Sequence, residues 1–451
     1  GDSSASGRLP GDPFAGEDSS ASGRLPGDPF AGGDSSASGR RPGDPFESRT
    51  PDPGRRETPE ALVTFGGYIE SRNRLSVRGQ DPAALTQKAH LELSAKKGPW
   101  SFYGSLEGWL EGAAHYWPGN HSFNHGEVRE SYVSFDSEKA DFYLGRRLVR
   151  WGTSDGWNPL DLINPLDLND PFQNGRSLNR VPQWLAGLSL SLGPVKAEAV
   201  AVPEAGVMKM PAQGHPWEPR AYRSLRLSRD RGLIGLSPAD RPSRFLKDGA
   251  AGLRLSTNIQ GFDLEVLAWR GYFEEPLFRM ELTPAGIRAR GEYARYTVFG
   301  LAFAKGLGSQ TIRGEAAVKP DQPRQGTSGW HRSHLTQAVL GWDGSFQGRY
   351  YLNFQYFAEF QSPAGPLPRD VRQGLTYEGS VQWAQDVWKA GVRGQQSITG
   401  DGSLSEGFVE YLAGDHLKLS AGVMFFSGPE TSQTGQFDGN DFFHLTARWS
   451  F

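Results

Sequence analysis

The sequence predicts an all-β fold: a transmembrane, antiparallel up-and-down β-barrel of about 18 strands, preceded by a disordered N-terminal repeat tail. Three observations lead there. Apolar and polar residues alternate with period two over successive segments of roughly ten residues. Tight turns alternate with long polar connections, the layout of a meander with turns at one rim and loops at the other. The chain ends on Phe451, an aromatic on the apolar face of the final segment.

Composition sets the bounds. The 451 residues carry 48 Lys+Arg, 51 Asp+Glu, 58 Gly, 31 Pro and no Cys, for a net charge of −3. Without Cys there is no disulfide framework, Cys-ligated metal or Cys nucleophile. Without a basic excess there is no electrostatic case for a nucleic-acid partner. Mean hydropathy is −0.54, and no run approaches the roughly 20 apolar residues of a spanning helix. Spanning strands need apolar residues only at alternate positions, so low hydropathy leaves a barrel open.

Residues 1–60 are a tail. Near-copies of DSSASGRLPGDPFAG begin at Asp2, Asp18 and Asp34, each with one Phe (Phe14, Phe30, Phe46) among Gly, Ser and Pro. Such units bury too little apolar area to offset chain entropy, so disorder is expected. The absence of a hydrophobic leader and the first residue, Gly1, fit a processed N-terminus. The tail reads as a spacer, or as a multivalent docking tag presenting Phe14, Phe30 and Phe46.

The barrel is expected over 61–451. Segment 61–72 opens it. Segment 84–97 sets Leu85, Ala89, Leu91 and Leu93 against Lys88, His90, Glu92 and Lys96, and turns at Lys97-Gly98 into 99–114, where Phe102, Leu106 and Leu110 oppose Tyr103, Glu107 and Glu111. Segments 126–136 and 140–149 meet at Ser137-Glu138, 184–193 and 194–203 at Gly193-Pro194, and 249–259 and 262–274 at Gln260-Gly261. Segments 290–305 and 309–318 meet at Gly306-Leu307, and 333–343 and 348–361 at Asp343-Gly344. Segments 373–384 and 387–398 meet at Ala384-Gln385, 406–413 and 416–427 at Gly414-Asp415, and 438–451 closes the chain. That is eighteen strands, with sixteen the nearest alternative count. Long connections fall at 150–183, 204–248, 274–290, 319–332, 362–373 and 428–439. A lipocalin-sized soluble barrel is too short for this meander, and stacked sandwiches leave the strand-end aromatics Trp100, Tyr350, Trp388 and Trp449 unexplained.

With the apolar face on outer-membrane lipid, the alternate face lines the lumen. It carries both signs of charge: Lys88, Glu92, Glu107, Glu111, Arg254, Arg349, Glu359, Lys389, Arg393 and Arg448. Strong ion selectivity needs a ring of one sign, so the mixture disfavours it. The nine His are scattered and no G-x-S-x-G turn accompanies them, so no catalytic constellation is assigned and an enzyme is not expected.

The distinctive stretch leaves a strand with Arg146, Arg147 and Arg150, turns at Trp151-Gly152, passes Asp155, and repeats Asn-Pro-Leu-Asp-Leu at 158–162 and 164–168. Asn158, Asp161, Asn164, Asp167 and Asp170 supply local side-chain-to-backbone hydrogen bonds. A connection with Leu160, Leu162, Ile163, Leu166 and Leu168 is too apolar for water. It is expected to fold into the lumen as a constriction, with Arg146, Arg147 and Arg150 pairing its carboxylates. The same carboxylates admit a bound Ca²⁺, although EF-hand spacing is absent; otherwise no cofactor is expected.

Gly145, Arg146, Trp151, Gly152 and Ser154, followed by Asn164, Pro165 and Asp167, resemble the signature of a group of functionally unassigned Gram-negative outer-membrane barrels distantly similar to the alginate-export porin. The resemblance implies an 18-strand channel or transporter of the bacterial outer membrane working beside an inner-membrane or periplasmic partner. The triplicated tail departs from that pattern. Two functions follow as expectations: a channel passing a polar or amphipathic solute through a loop-constricted lumen, or a sheath housing a partner such as a periplasmic electron carrier.

Overall fold

The computed structural model describes residues 62–77, 84–113, 123–171 and 179–451. The repeat tail, with Phe14, Phe30 and Phe46, lies outside the described residues. Strands follow from the period-two segments: β1 (Leu62–Ser76), β2 (Ala84–Lys97), β3 (Trp100–Ala113), β4 (Phe123–Asp136), β5 (Ala140–Arg147), β6 (Gln183–Leu192) and β7 (Val195–Val202). A connection then carries helix α1 (Arg220–Asp230) and the short strand β8 (Gly235–Ser237). The ring resumes with β9 (Ala250–Ile259) and β10 (Phe262–Tyr272), and a second excursion forms β11 (Leu277–Thr283) and β12 (Gly286–Glu292). It continues through β13 (Arg295–Leu307), β14 (Gln310–Gln325), β15 (Trp330–Phe346), β16 (Tyr350–Gln361) and β17 (Asp370–Trp383). The last four are β18 (Trp388–Ser397), β19 (Ser403–Ala413), β20 (Leu417–Ser427) and β21 (Phe442–Ser450).

Eighteen of these strands form one antiparallel sheet; β8, β11 and β12 form a small separate one. The large sheet closes because β1 pairs with β2 on one side and with β21 on the other, from Tyr68↔Ser450 to Ser76↔Phe442. Gly67 and Phe451 add a reciprocal pair of backbone bonds at 3.1 and 3.0 Å. No ring strand has a free edge, as a hydrocarbon environment requires.

Exposure alternates as the sequence pattern demands. On β16, Leu352, Phe354, Tyr356 and Phe360 are exposed, while Asn353, Gln355, Phe357, Glu359 and Gln361 are buried inside. The large apolar side chains on the outer face are the surface a bilayer covers. Trp100, Tyr350, Trp383, Trp388 and Trp449 project outward at the tight-turn rim, with Trp383 and Trp388 stacked at 6.1 Å. This is an aromatic girdle at the headgroup level.

All eighteen predicted strands are present. The connections hold the differences. The expected long loop 319–332 is mostly strand, because β14 runs to Gln325 and β15 starts at Trp330. Pro320 is accommodated in a register shift between Lys319 and Gln322. Connection 204–248 contains α1 and β8, connection 274–290 contains most of the β11–β12 hairpin, and 428–439 contains a short 3₁₀ turn, Gly435–Phe437. Arg349 falls in the exposed turn before β16, outside the strands.

Gly145 occupies a backbone conformation with φ +142, and a Cβ there would sit 2.3 Å from the Ser131 carbonyl oxygen across the β4–β5 ladder. Gly145→Ala is therefore expected to cost about 1–3 kcal/mol. A lowered guanidinium midpoint in detergent micelles would register it; an unchanged midpoint would show that the strand pair yields without cost.

Candidate functional site

The segment after β5 is organised by its own short polar side chains. The Leu148 N–H donates to Glu130 Oε1 at 2.8 Å, which draws the chain off the ladder. Asn164, almost fully buried, then ties the start of the segment to its end. Its Oδ1 accepts from Val149 N at 2.8 Å, and its Nδ2 donates to the Arg147 and Val181 carbonyls at 3.3 and 3.0 Å. Asn158 Oδ1 accepts from Leu160 N at 2.8 Å and Asp167 Oδ1 from Asn169 N at 3.1 Å, both Asx-type turns.

Apolar residues fix one side. Trp151, Leu160 and Ile163 pack with Leu185, Val200, Leu267, Trp269 and Val298, the inward residues of β6, β7, β10 and β13. Two wall glycines make room for them. A Cβ on Gly252 would lie 2.7 Å from Trp151, and one on Gly300 would lie 2.4 Å from Leu160. Trp151 Nε1 donates to Glu198 Oε2 at 3.0 Å, and Glu198 also holds Arg254 at 2.7 Å.

Polar bonds reach further round the ring. The Thr153 and Ser154 N–H groups both donate to Glu315 Oε1 on β14 at 2.5 Å. Arg313 of the same strand donates to the Thr153 carbonyl at 2.9 Å and pairs with Asp155 at 2.8 Å. Gly156 N donates to Gln355 of β16 at 3.0 Å, and Trp157 stacks on Phe357 at 5.0 Å. On the return, Asp170 pairs with Arg72 and Arg74 of β1 at 2.7 and 2.6 Å. Bonded or packed partners thus come from β1, β4, β6, β7, β10, β13, β14 and β16.

The predicted arginine pairing is largely replaced. Arg146 pairs with Glu127 of β4 at 3.3 Å, and Arg147 lies over the Tyr132 and Tyr143 rings at 4.5 Å. Arg150 alone approaches a segment carboxylate, Asp155, at 3.8 Å. Asp161 takes Arg180 at 3.2 Å and Asp167 takes Lys209 at 3.5 Å. Among the described residues no group of three or more His, Asp or Glu is placed to hold a metal ion.

The wall residues are paired across neighbouring strands. Glu107 gathers Lys88 at 3.0 Å, His90 at 3.3 Å and Arg129 at 3.6 Å, and Glu92 reaches His90 at 2.8 Å. Arg448 pairs with Glu70 at 2.6 Å, Arg393 with Glu406 at 2.7 Å, and Lys389 with Glu378 at 3.9 Å. Glu359 meets Arg372 at 3.9 Å. Glu111 meets His215 at 3.9 Å, and that histidine introduces what the sequence reading missed.

The connection after β7 follows the same inner side. Lys209 pairs with Glu127 at 2.9 Å and shares backbone bonds with Leu166 and Leu168. Trp217 inserts among Leu404, Met424, Phe426, Phe437 and Phe442, the apolar cluster of β19 to β21. The apolar Val207-Met208 pair in an otherwise polar connection and Trp217 in a Gly-His-Pro-Trp run were the available signals.

The sealed ring, the apolar outer face with its girdle and the charged inner face define an outer-membrane β-barrel of the bacterial type. No family model matches the chain, and no curated protein matches it. Among solved structures, the chain is similar to OccD3 (OpdP) of Pseudomonas aeruginosa at 9% identity, covering 86% of this chain and 91% of that one, with a TM-score of 0.49. It is similar to OccAB3 of Acinetobacter baumannii at 8% identity, covering 87% and 99%, also at 0.49. A loop-deletion form of OmpT, an outer membrane protein of Vibrio cholerae, gives 9% identity, 87% and 99% coverage, and 0.44. At these identities nothing about solute or partner passes to this chain.

Burial opposes ionisation of Asp170, but Arg74 and Arg72 outweigh it and hold its carboxyl below the usual range. A depressed carboxylate stabilises the folded arrangement above its ordinary pKa of about 4 and stops doing so as pH falls through the folded value. The β1 tether should therefore hold at neutral pH and release only in strong acid. Amide protection factors at 168–171, corrected for intrinsic exchange, should be flat down to roughly pH 4 and fall below it; Asp170→Asn should show the low protection at every pH. For Glu315→Ala, loss of the acceptor for two N–H groups should cost about 1–3 kcal/mol, read as faster exchange at Thr153 and Ser154 with the β14 ladder unchanged.

Proposed function

We propose that the protein is an outer-membrane channel that passes a polar or amphipathic solute through a lumen narrowed by residues 150–171. One observation carries the reading: within a ring wide enough for an aqueous interior, this segment is bonded or packed to strands from β1 to β16. A segment held on both sides of a ring acts as a constriction. The wall and the segment together present carboxylates matched to cations, an environment that suits hydrogen-bonding solutes of low net charge better than ions of one sign.

The finer part of the reading is the resemblance of Gly145 to Asp167 to the barrels similar to the alginate-export porin. It supports work beside an inner-membrane or periplasmic partner. Leu62, where the tail joins the barrel, pairs with Lys96 at the tight-turn rim, the periplasmic side of such barrels. Docking through Phe14, Phe30 and Phe46 would occur there.

Planar-bilayer recording tests the channel. Replacing 158–171 with a short Gly-Ser linker should raise single-channel conductance by about two-fold or more, with tight-turn and girdle variants as unchanged controls. Equal conductance in the two proteins would remove the segment from the constriction role. Silence of the intact protein until a periplasmic partner is added would favour a sheath.

A further inference from the structure

The outer wall carries a feature that transport does not use. On β10, Trp269 and Gly271 are buried inside, so Arg270 between them faces outward at the long-connection rim, and Tyr272 beyond them is half-buried. Arg295 begins β13 and Arg332 lies near the start of β15, on the same rim and the same face. The three guanidinium groups are held in place. Arg270 donates to Thr297 Oγ1 at 2.6 Å, Arg332 donates to the Arg295 carbonyl at 2.9 Å, and Arg295 lies over the Tyr272 ring at 4.6 Å. Among the described residues the carboxylate that pairs with them is Asp321, 3.7 Å from Arg270 and 3.5 Å from Arg332, so three guanidinium groups face one carboxylate there.

Two further observations adjoin it. Arg295 also donates to the Lys247 carbonyl, which places the tip Phe245-Leu246-Lys247 beside the cluster. Phe245 and Leu246 are 71% and 72% exposed, and Leu246 sits in the left-handed region at φ 59, a conformation costly for a branched side chain. Strained backbone that holds two apolar side chains out at a rim calls for an apolar contact there. Below the arginines, the outer face of β6, β7, β9 and β10 dips into a groove of about 540 Å³. Ala186, Ala201, Ala251 and Ala268 form its floor, Phe142 and Leu253 flank it, and Arg270 and Thr297 close its rim end.

We propose that this is a binding site for one phosphate-bearing lipid of the outer leaflet. The phosphate is held by Arg270, Arg295 and Arg332, one acyl chain lies in the alanine-floored groove, and Phe245 and Leu246 cover the chain where it meets the headgroup. Charge complementarity selects this occupant. Guanidinium groups match phosphate oxygens in fixed geometry, the long-connection rim is the extracellular side, and a groove floored by small side chains lets a chain approach closely. A second protein copy would fill the groove, but it would leave the three arginines facing headgroups.

The test uses the full chain folded in detergent, titrated with lipid A and with its dephosphorylated form, and read by native mass spectrometry. One lipid A molecule retained, against none of the dephosphorylated form, is the expected result. Arg270→Gln with Arg332→Gln should weaken retention about ten-fold or more. Ala251→Trp, which fills the groove and leaves the arginines in place, should weaken it as well. Heat-shifted gel mobility and single-channel conductance should match the parent in both variants, which separates lost binding from lost folding. Equal retention of the two lipids, or full retention by the arginine double variant, would overturn the proposal. So would a stable oligomer that Ala251→Trp dissociates, because the groove would then belong to a protein partner.

Discussion

Hydrocarbon offers no hydrogen bonds, so a spanning strand must find every backbone partner in another strand. For this chain the condition is met at one seam, where β1 joins β21 from Tyr68↔Ser450 to Ser76↔Phe442. Closure fixes the rest. It orders side chains strictly in and out, so half of each strand can be as polar as the interior requires. That is how a chain of mean hydropathy −0.54 covers itself with Leu, Phe and Val on one face. It also creates an interior too wide for opposing walls to meet.

The strands were legible because the two signals that specify them are local. A period of two cannot be confused with a helical stripe over ten residues, and turns such as Lys97-Gly98 and Gln260-Gly261 carry a glycine that accepts positive φ: Gly98 at 59 and Gly261 at 78. Where a local signal misled, the cause is visible. Pro320 and Pro323 read as loop, yet β14 carries the first inside a register shift and pairs the second with Arg332. Helix α1 was hidden by composition. Its eleven residues are Arg-rich and bury none completely, and its apolar side, Ala221, Tyr222 and Leu225, is too short to mark a helix alone.

The inner segment was half legible. Asn and Asp at every third position announced turns that Asn158 and Asp167 do make, and the density of Leu announced burial, as with Leu160 and Leu168. What the sequence could not supply was the identity of partners far along the chain. Asp155 is held by Arg313, Thr153 by Glu315 and Asp170 by Arg72, contacts spanning about 100 to 160 residues. The nearby Arg146 and Arg147 looked like the obvious cations, but Glu127 and the Tyr132 and Tyr143 rings on β4 and β5 claim them first. Glycines 252 and 300, which leave space for Trp151 and Leu160, carry no signal of their own in a strand pattern.

The wall and the segment are also electrostatic complements. Wall carboxylates gather cations in excess: Glu70 holds Arg72 and Arg448, Glu107 holds Lys88 and Arg129, and Glu406 holds Arg393 beside His444. The segment answers with carboxylates, Asp155 to Arg313 and Asp170 to Arg72 and Arg74. Breaking a buried pair from one side strands the other charge, which costs far more than the pair contributes. The segment therefore cannot leave the wall without uncovering arginines on β1 and β14. Its position and the pairing of the wall's cations are one variable: on the proposed channel reading, withdrawing the segment would leave Arg72, Arg74 and Arg313 short of the carboxylates that pair them.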